Sequence, residues 1–87
     1  MLKIQRSLND GVVFALVGRI ESDGVGELQR LLGLEARGER VVIDLQDVTL
    51  IDREGVKFLA RCEADRIRLT NCPAYIREWI DREEKRN

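Results

Sequence analysis

Residues 40–55 read Arg-Val-Val-Ile-Asp-Leu-Gln-Asp-Val-Thr-Leu-Ile-Asp-Arg-Glu-Gly, and the fold turns on this stretch. The β-branched run Val41-Val42-Ile43 leads to Asp44 and predicts a buried strand over Val41 to Leu45. A second apolar patch, Val48 to Ile51, stops at Asp52. A charged pair and Gly55 follow, and then a new amphipathic stretch begins. The pattern is that of a strand feeding an exposed turn and a helix N-terminus, where a small α/β domain often presents a functional group. Arg53 and Glu54 occupy that turn, and neither carries a hydroxyl.

Working outward, Leu2 to Leu8 alternates weakly and predicts an edge strand with one wet face. Asn9-Asp10-Gly11 is a strong turn signal, because these residues accept positive φ. Val12 to Ile20 completes a hairpin, with Gly18 suited to a bulge. Ser22-Asp23 predicts the cap of a helix beginning near Gly24, with Val25, Leu28, Leu31, Leu32 and Glu35 at helical spacing and Gly38 ending it. Downstream, Asp52 reads as the N-cap of a helix whose apolar face holds Val56, Phe58, Leu59 and Ala60, with Cys62 at its margin. Ile67 to Leu69 predicts a short strand. Cys72-Pro73 opens a last helix with proline in its first turn. There Ile76, Trp79 and Ile80 share a face, with Tyr75 at its flank, and Asp81 to Asn87 predicts a frayed, charged tail. The order β-β-α-β-α-β-α implies a small mixed α/β sheet with helices packed on one face, and the 87 residues suit a single domain.

Composition narrows the function. Fifteen basic and sixteen acidic residues give a net charge of −1, which leaves no footprint for nucleic acid. The chain has no histidine, which removes the usual triads and most catalytic zinc sites. Cys62 and Cys72 lack CxxC spacing and read as reduced cysteines of an intracellular protein. The N-terminal segment lacks the apolar core of a signal peptide, and no apolar run approaches membrane-spanning length, so a cytoplasmic location is expected. Gly24-Val25-Gly26 lacks the further glycine and Lys-Ser/Thr of a phosphate-binding loop. Asp44, Asp52 and Glu21 could form an acidic cluster at one sheet edge, but Asp52 is more simply a cap.

The element order and several segments resemble the STAS domain, the family of anti-sigma-factor antagonists and of the cytoplasmic tails of sulfate transporters. Val17-Gly18-Arg19-Ile20-Glu21 is similar to that family's hydrophobic-Gly-x-hydrophobic-acid strand end, with Glu21 where aspartate is more usual. Val41 to Leu45 resembles its central strand. Val48-Thr49-Leu50-Ile51-Asp52-Arg53-Glu54-Gly55 resembles its most specific segment, in which aspartate is followed by two small hydroxyl residues and glycine. In the family's antagonists the hydroxyl residue before that glycine is phosphorylated by a partner kinase, which abolishes binding. Glu54 stands at the matching position, after Arg53.

The resemblance implies a non-catalytic protein-interaction module without cofactor or metal, and the departure at Arg53 and Glu54 argues against a phospho-switch there. Glu54 reads either as a plain first-turn helix acid, which is common, or as a partial mimic of the modified state. The expected partner-binding set is Asp52, Arg53, Glu54, Gly55, Lys57 and Arg61, facing a protein such as an anti-sigma factor or kinase. The alternative is an accessory subunit of a larger complex, as a homodimer or a transporter-associated protein.

Overall fold

In the computed structural model of the chain, which describes residues 2–35 and 40–85, Leu2–Leu8 (β1) and Val12–Ile20 (β2) form the expected antiparallel hairpin. Its turn requires positive φ at Asp10 (56°) and Gly11 (130°). Gly11 is doubly constrained, because a Cβ there would lie 2.7 Å from the Arg40 carbonyl oxygen. Along β2, Val12, Phe14, Leu16 and Ile20 are buried, while Val13, Ala15 and Val17 between them are half-buried. This period of two marks a sheet with one core face.

The next strand, Val41–Ile51 (β3), is parallel to β2 and longer than the segment Val41–Leu45 read from the sequence. The polar pair Gln46-Asp47, which looks like a strand end, is absorbed by bulges. Register shifts between Ala15 and Val17 and between Gly18 and Arg19 each place one extra residue on β3. They rephase the strand so that Ile43, Leu45, Val48 and Ile51 are all buried. Strict alternation from Leu45 would have turned Asp47 and Thr49 inward instead. The last strand, Arg68–Thr70 (β4), pairs parallel with Val42 to Asp44, one residue later than expected. The sheet order is β1-β2-β3-β4.

Three helices cover the inward face: Ser22–Gly33 (α1), Arg53–Ala64 (α2) and Ala74–Lys85 (α3). Leu28, Val56, Phe58, Leu59, Ile76 and Ile80 join the buried strand residues in one core. Cys62, expected at the margin of α2, is buried in that core. The start of α1 departs from expectation. Glu21, not Ser22 or Asp23, stands at the N-cap, with no side-chain cap bond, and its carbonyl accepts from the Val25 N–H at 2.9 Å. The helix ends at Gly33; Gly38 lies outside the described residues. Glu35 is therefore not a helix-face residue, and its carboxylate accepts two hydrogen bonds from Arg6, at 2.9 and 3.0 Å.

The charged segment after Ile80 does not fray at Asp81 but stays helical to Lys85. Its ion pairs supply the reason. Arg77 grips Glu63 of α2 with two bonds of 2.6 and 2.7 Å and also binds Asp81 at 2.8 Å, while Arg82 binds Glu78 at 2.6 Å. Pairs at i,i+4 support a helix, and the bidentate Arg77–Glu63 pair ties this one to its neighbour.

The Arg77 guanidinium holds the Glu63 carboxyl below its ordinary value of 4.5, and a hydrogen bond that the Glu84 carboxyl donates to the Glu63 carboxylate holds that of Glu84 above it. A depressed carboxylate contributes stability above its unfolded value that is lost as pH falls through the folded one; Glu84 acts in the opposite sense. Urea denaturation should therefore show a Glu63-dependent loss of stability as pH drops below about 4.5. Glu63→Gln should flatten that slope and cost about 1 kcal/mol at pH 7. An unchanged slope in the variant would remove Glu63 as its source.

Candidate functional site

The site begins where β3 ends. Ile51 is the last inward residue of the strand, and the Asp52 backbone N–H donates to the Ile20 carbonyl at 3.1 Å, closing the ends of β2 and β3 together. Asp52 has an extended backbone, and its Oδ1 accepts from the Gly55 N–H at 2.8 Å. It is the N-cap the sequence predicts, satisfying one of the orphan donors of the first turn. Gly55 lies directly over the strand ends. A Cβ there would come within 2.7 Å of Ile51 Cγ1, 2.8 Å of Ile20 Cγ2 and 3.0 Å of the Ile20 carbonyl oxygen. Only glycine lets the helix N-terminus sit this low.

Of the six expected partner-binding residues, two are thus turned to internal work. Gly55 is buried, and the half-buried Asp52 spends a carboxylate oxygen on its cap. Arg53 and Glu54 are exposed on the first turn, Lys57 is half-buried one turn along, and Arg61 is exposed one turn further. Glu54, Lys57 and Arg61 follow the i, i+3, i+7 spacing of one helix face. Asp44 joins neither Asp52 nor Glu21, because its Oδ1 accepts from the Gln46 N–H at 3.0 Å and from Asn71 Nδ2 at 3.1 Å. Among the described residues, no three His, Cys, Asp or Glu side chains gather as a metal site.

The sequence reading missed the wall beside this turn. Ile51, Arg53 and Val56 line a groove of about 460 Å³ together with Trp79, Arg82 and Glu83 of α3. Trp79 and Tyr75, expected in or beside the core, are each 42% exposed. Their rings meet edge to face at 5.8 Å, and the Tyr75 hydroxyl donates to the Thr49 carbonyl at 3.4 Å. The signal was present in the spacing. Ile76 and Ile80 form a fully buried i,i+4 row, and Tyr75 and Trp79 form the row about 100° away, towards solvent. Both cysteines are free. Burial pushes the Cys62 thiol up to about 12, and it pushes Cys72 up as well, which leaves neither poised as a nucleophile.

The four-stranded mixed sheet with three helices in the order β-β-α-β-α-β-α is a SpoIIAA-like, or STAS-like, fold. A solved structure agrees: an uncharacterized protein of the DUF3478 family with a SpoIIAA-like fold, from Shewanella loihica PV-4. It superposes with a TM-score of 0.53 at 12% identity over 75% of this chain. The chain spans 58% of that protein's length. No family model and no curated protein matches the sequence. No described helix is long and apolar enough to cross a membrane.

The geometry separates the structural residues of the turn from its outward ones. Gly55→Ala should destabilise the protein by about 2–3 kcal/mol through overpacking against Ile20 and Ile51. Asp52→Ala should cost about 1 kcal/mol through the lost cap. Arg53→Ala should stay within about 0.5 kcal/mol of wild type. Chemical denaturation measures all three, and a neutral Gly55→Ala would refute the close seating of α2.

Proposed function

We propose that the chain is a non-catalytic protein-interaction and regulatory module, related in mode to the anti-sigma-factor antagonists, with the first turn of α2 as its partner-facing surface. One observation carries the reading. Arg53 and Glu54 are held outward on a turn whose backbone is fixed by Asp52 and Gly55, beside an open groove floored by Trp79. Rigid presentation of charged side chains next to a half-exposed tryptophan suits a protein partner, since Trp and Arg are the usual anchors of such interfaces. The partner is a protein of the anti-sigma-factor or kinase kind, with no role for nucleic acid or membrane insertion. The two free cysteines support a cytoplasmic setting.

On this reading the surface lacks the phosphate switch. Neither Arg53 nor Glu54 offers a hydroxyl, and the Glu54 carboxylate supplies one negative charge where a phosphate would supply about 1.5 to 2. Its place in the first turn of α2 satisfies the helix dipole, which alone accounts for an acid there. A second reading, an accessory subunit or homodimer, draws on the exposure of Leu50 (46%), Tyr75 and Trp79 (42% each).

Affinity purification from the native cell should capture a discrete protein partner. Arg53→Glu combined with Glu54→Lys, and separately Trp79→Ala, should weaken its capture at least about tenfold, equivalent to ~1.4 kcal/mol, with circular dichroism unchanged. Retention of the partner by both variants would overturn the surface. Light scattering that shows a stable dimer lost on Trp79→Ala would favour the second reading.

A further inference from the structure

Three arginines line one concavity at the opposite end of the sheet from Asp52. Arg40 leads into β3, Arg66 follows α2 and Arg68 opens β4, and all three line one cavity of about 510 Å³ with Asn9 and Asp10 of the hairpin turn. Among the described residues, Asp10 is the single acid on that wall, 3.6 Å from Arg40. Among the described residues, no carboxylate pairs with Arg66 or Arg68. The described lining residues therefore carry two positive charges in excess, on a chain whose net charge is −1.

Arg66 adds an independent observation. The end of α2 closes with the Ile67 N–H bonded to the Cys62 carbonyl at 2.9 Å and the Arg66 N–H to the Glu63 carbonyl at 3.0 Å. This double bond pattern demands a left-handed residue just past the helix, where glycine or asparagine is the usual choice. Here it is arginine at φ 68°. A side chain rarely adopts that conformation, so stability alone would favour glycine. Strain kept at such a position points to a use for the side chain, and this one lines the basic cavity.

We propose that this cavity binds a small oligophosphate through its phosphoryl oxygens. Guanidinium forks match phosphate oxygens two at a time, and two excess charges suit a multiply charged group. The site is a half-open concavity ringed by exposed arginines and not a basic stripe along the surface, and the chain is not basic overall. Both features favour a small ligand over nucleic acid. Among the described residues no aromatic ring lines the cavity to stack a base, so recognition falls on the phosphoryl end. The proposal is independent of the partner surface at Arg53 and Glu54.

Pyrophosphate titrated into the purified protein at low salt, followed calorimetrically, tests it. Saturable one-to-one binding is expected, and Arg68→Ala should weaken it at least tenfold. Arg66→Gly should do the same while raising the melting temperature by about 4 °C, because it removes both the guanidinium and the strained backbone. Arg19→Ala, an exposed arginine elsewhere on β2, should leave binding within about twofold. The proposal falls if pyrophosphate does not bind, or if Arg66→Gly is stabilised and binds as well as wild type. It falls also if Arg19→Ala weakens binding as much as Arg68→Ala, or if duplex DNA binds as tightly as pyrophosphate.

Discussion

The contact between Gly55 and the ends of β2 and β3 governs the rest of the molecule. With the Ile20 carbonyl and the Ile20 and Ile51 side chains all within 3.0 Å of where a Cβ would stand, α2 can descend onto the sheet only at this residue. The descent brings Val56 and Leu59 into the core and leaves Arg53 and Glu54 with nowhere to point but outward. It also lets α3 lie against α2, where Arg77 reaches Glu63. A larger residue at position 55 would lift the helix, thin the core beneath it and loosen that clasp together.

Gly55 can meet the strand ends only because β3 arrives in phase. Two extra residues on β3, opposite Ala15–Val17 and Gly18–Arg19, bring Ile51 level with Ile20 with both side chains facing the core. Gly18, at φ 104°, lies on β2 beside the second irregularity, where a residue free to adopt positive φ is needed. The bulges also put Thr49 at the exposed margin of β3, where its carbonyl is met by Tyr75. β4 pairs only with Val42 to Asp44, and beyond that point the Tyr75 hydroxyl meets the Thr49 carbonyl of β3.

Much of this was legible in the residues. Alternation along Val12–Ile20, the turn Asn9-Asp10-Gly11 and the cap at Asp52 each follow from one short-range rule, and each is found where the rule places it. What escaped depended on partners distant in sequence. A polar pair inside β3 looks like a strand end until β2 is laid beside it and the bulges absorb the pair. The run of charges after Ile80 looks like a frayed tail until Glu63, fourteen residues before Arg77, is found to anchor it. Trp79 is the exception: its spacing from Ile76 suggests core, but the row it forms with Tyr75 lies about 100° from the buried Ile76–Ile80 row, and it is 42% exposed. At the candidate site, spacing placed Arg53, Glu54, Lys57 and Arg61 on one helix, but nothing local announced the groove shared with α3.

The charge at position 54 has a further consequence on the proposed reading. An acid in the first turn of α2 is favoured by the unpaired N–H groups and the helix dipole, by roughly 0.3–1 kcal/mol when exposed. A phosphate there would gain from the same field but would also present about twice the charge to a partner, and its removal would reset the surface. Glu54 keeps the local stabilisation and cannot be reset. Affinity at this turn is then set once, by Arg53, Glu54 and the Trp79 groove, and control passes to the concentration of the partner or to a site elsewhere on the chain. The basic cavity beyond Arg40 and Arg68 lies at the other end of β3, too far from the turn for direct contact with a ligand. An oligophosphate bound there could alter partner affinity only by favouring one of two arrangements of the molecule that the partner also distinguishes.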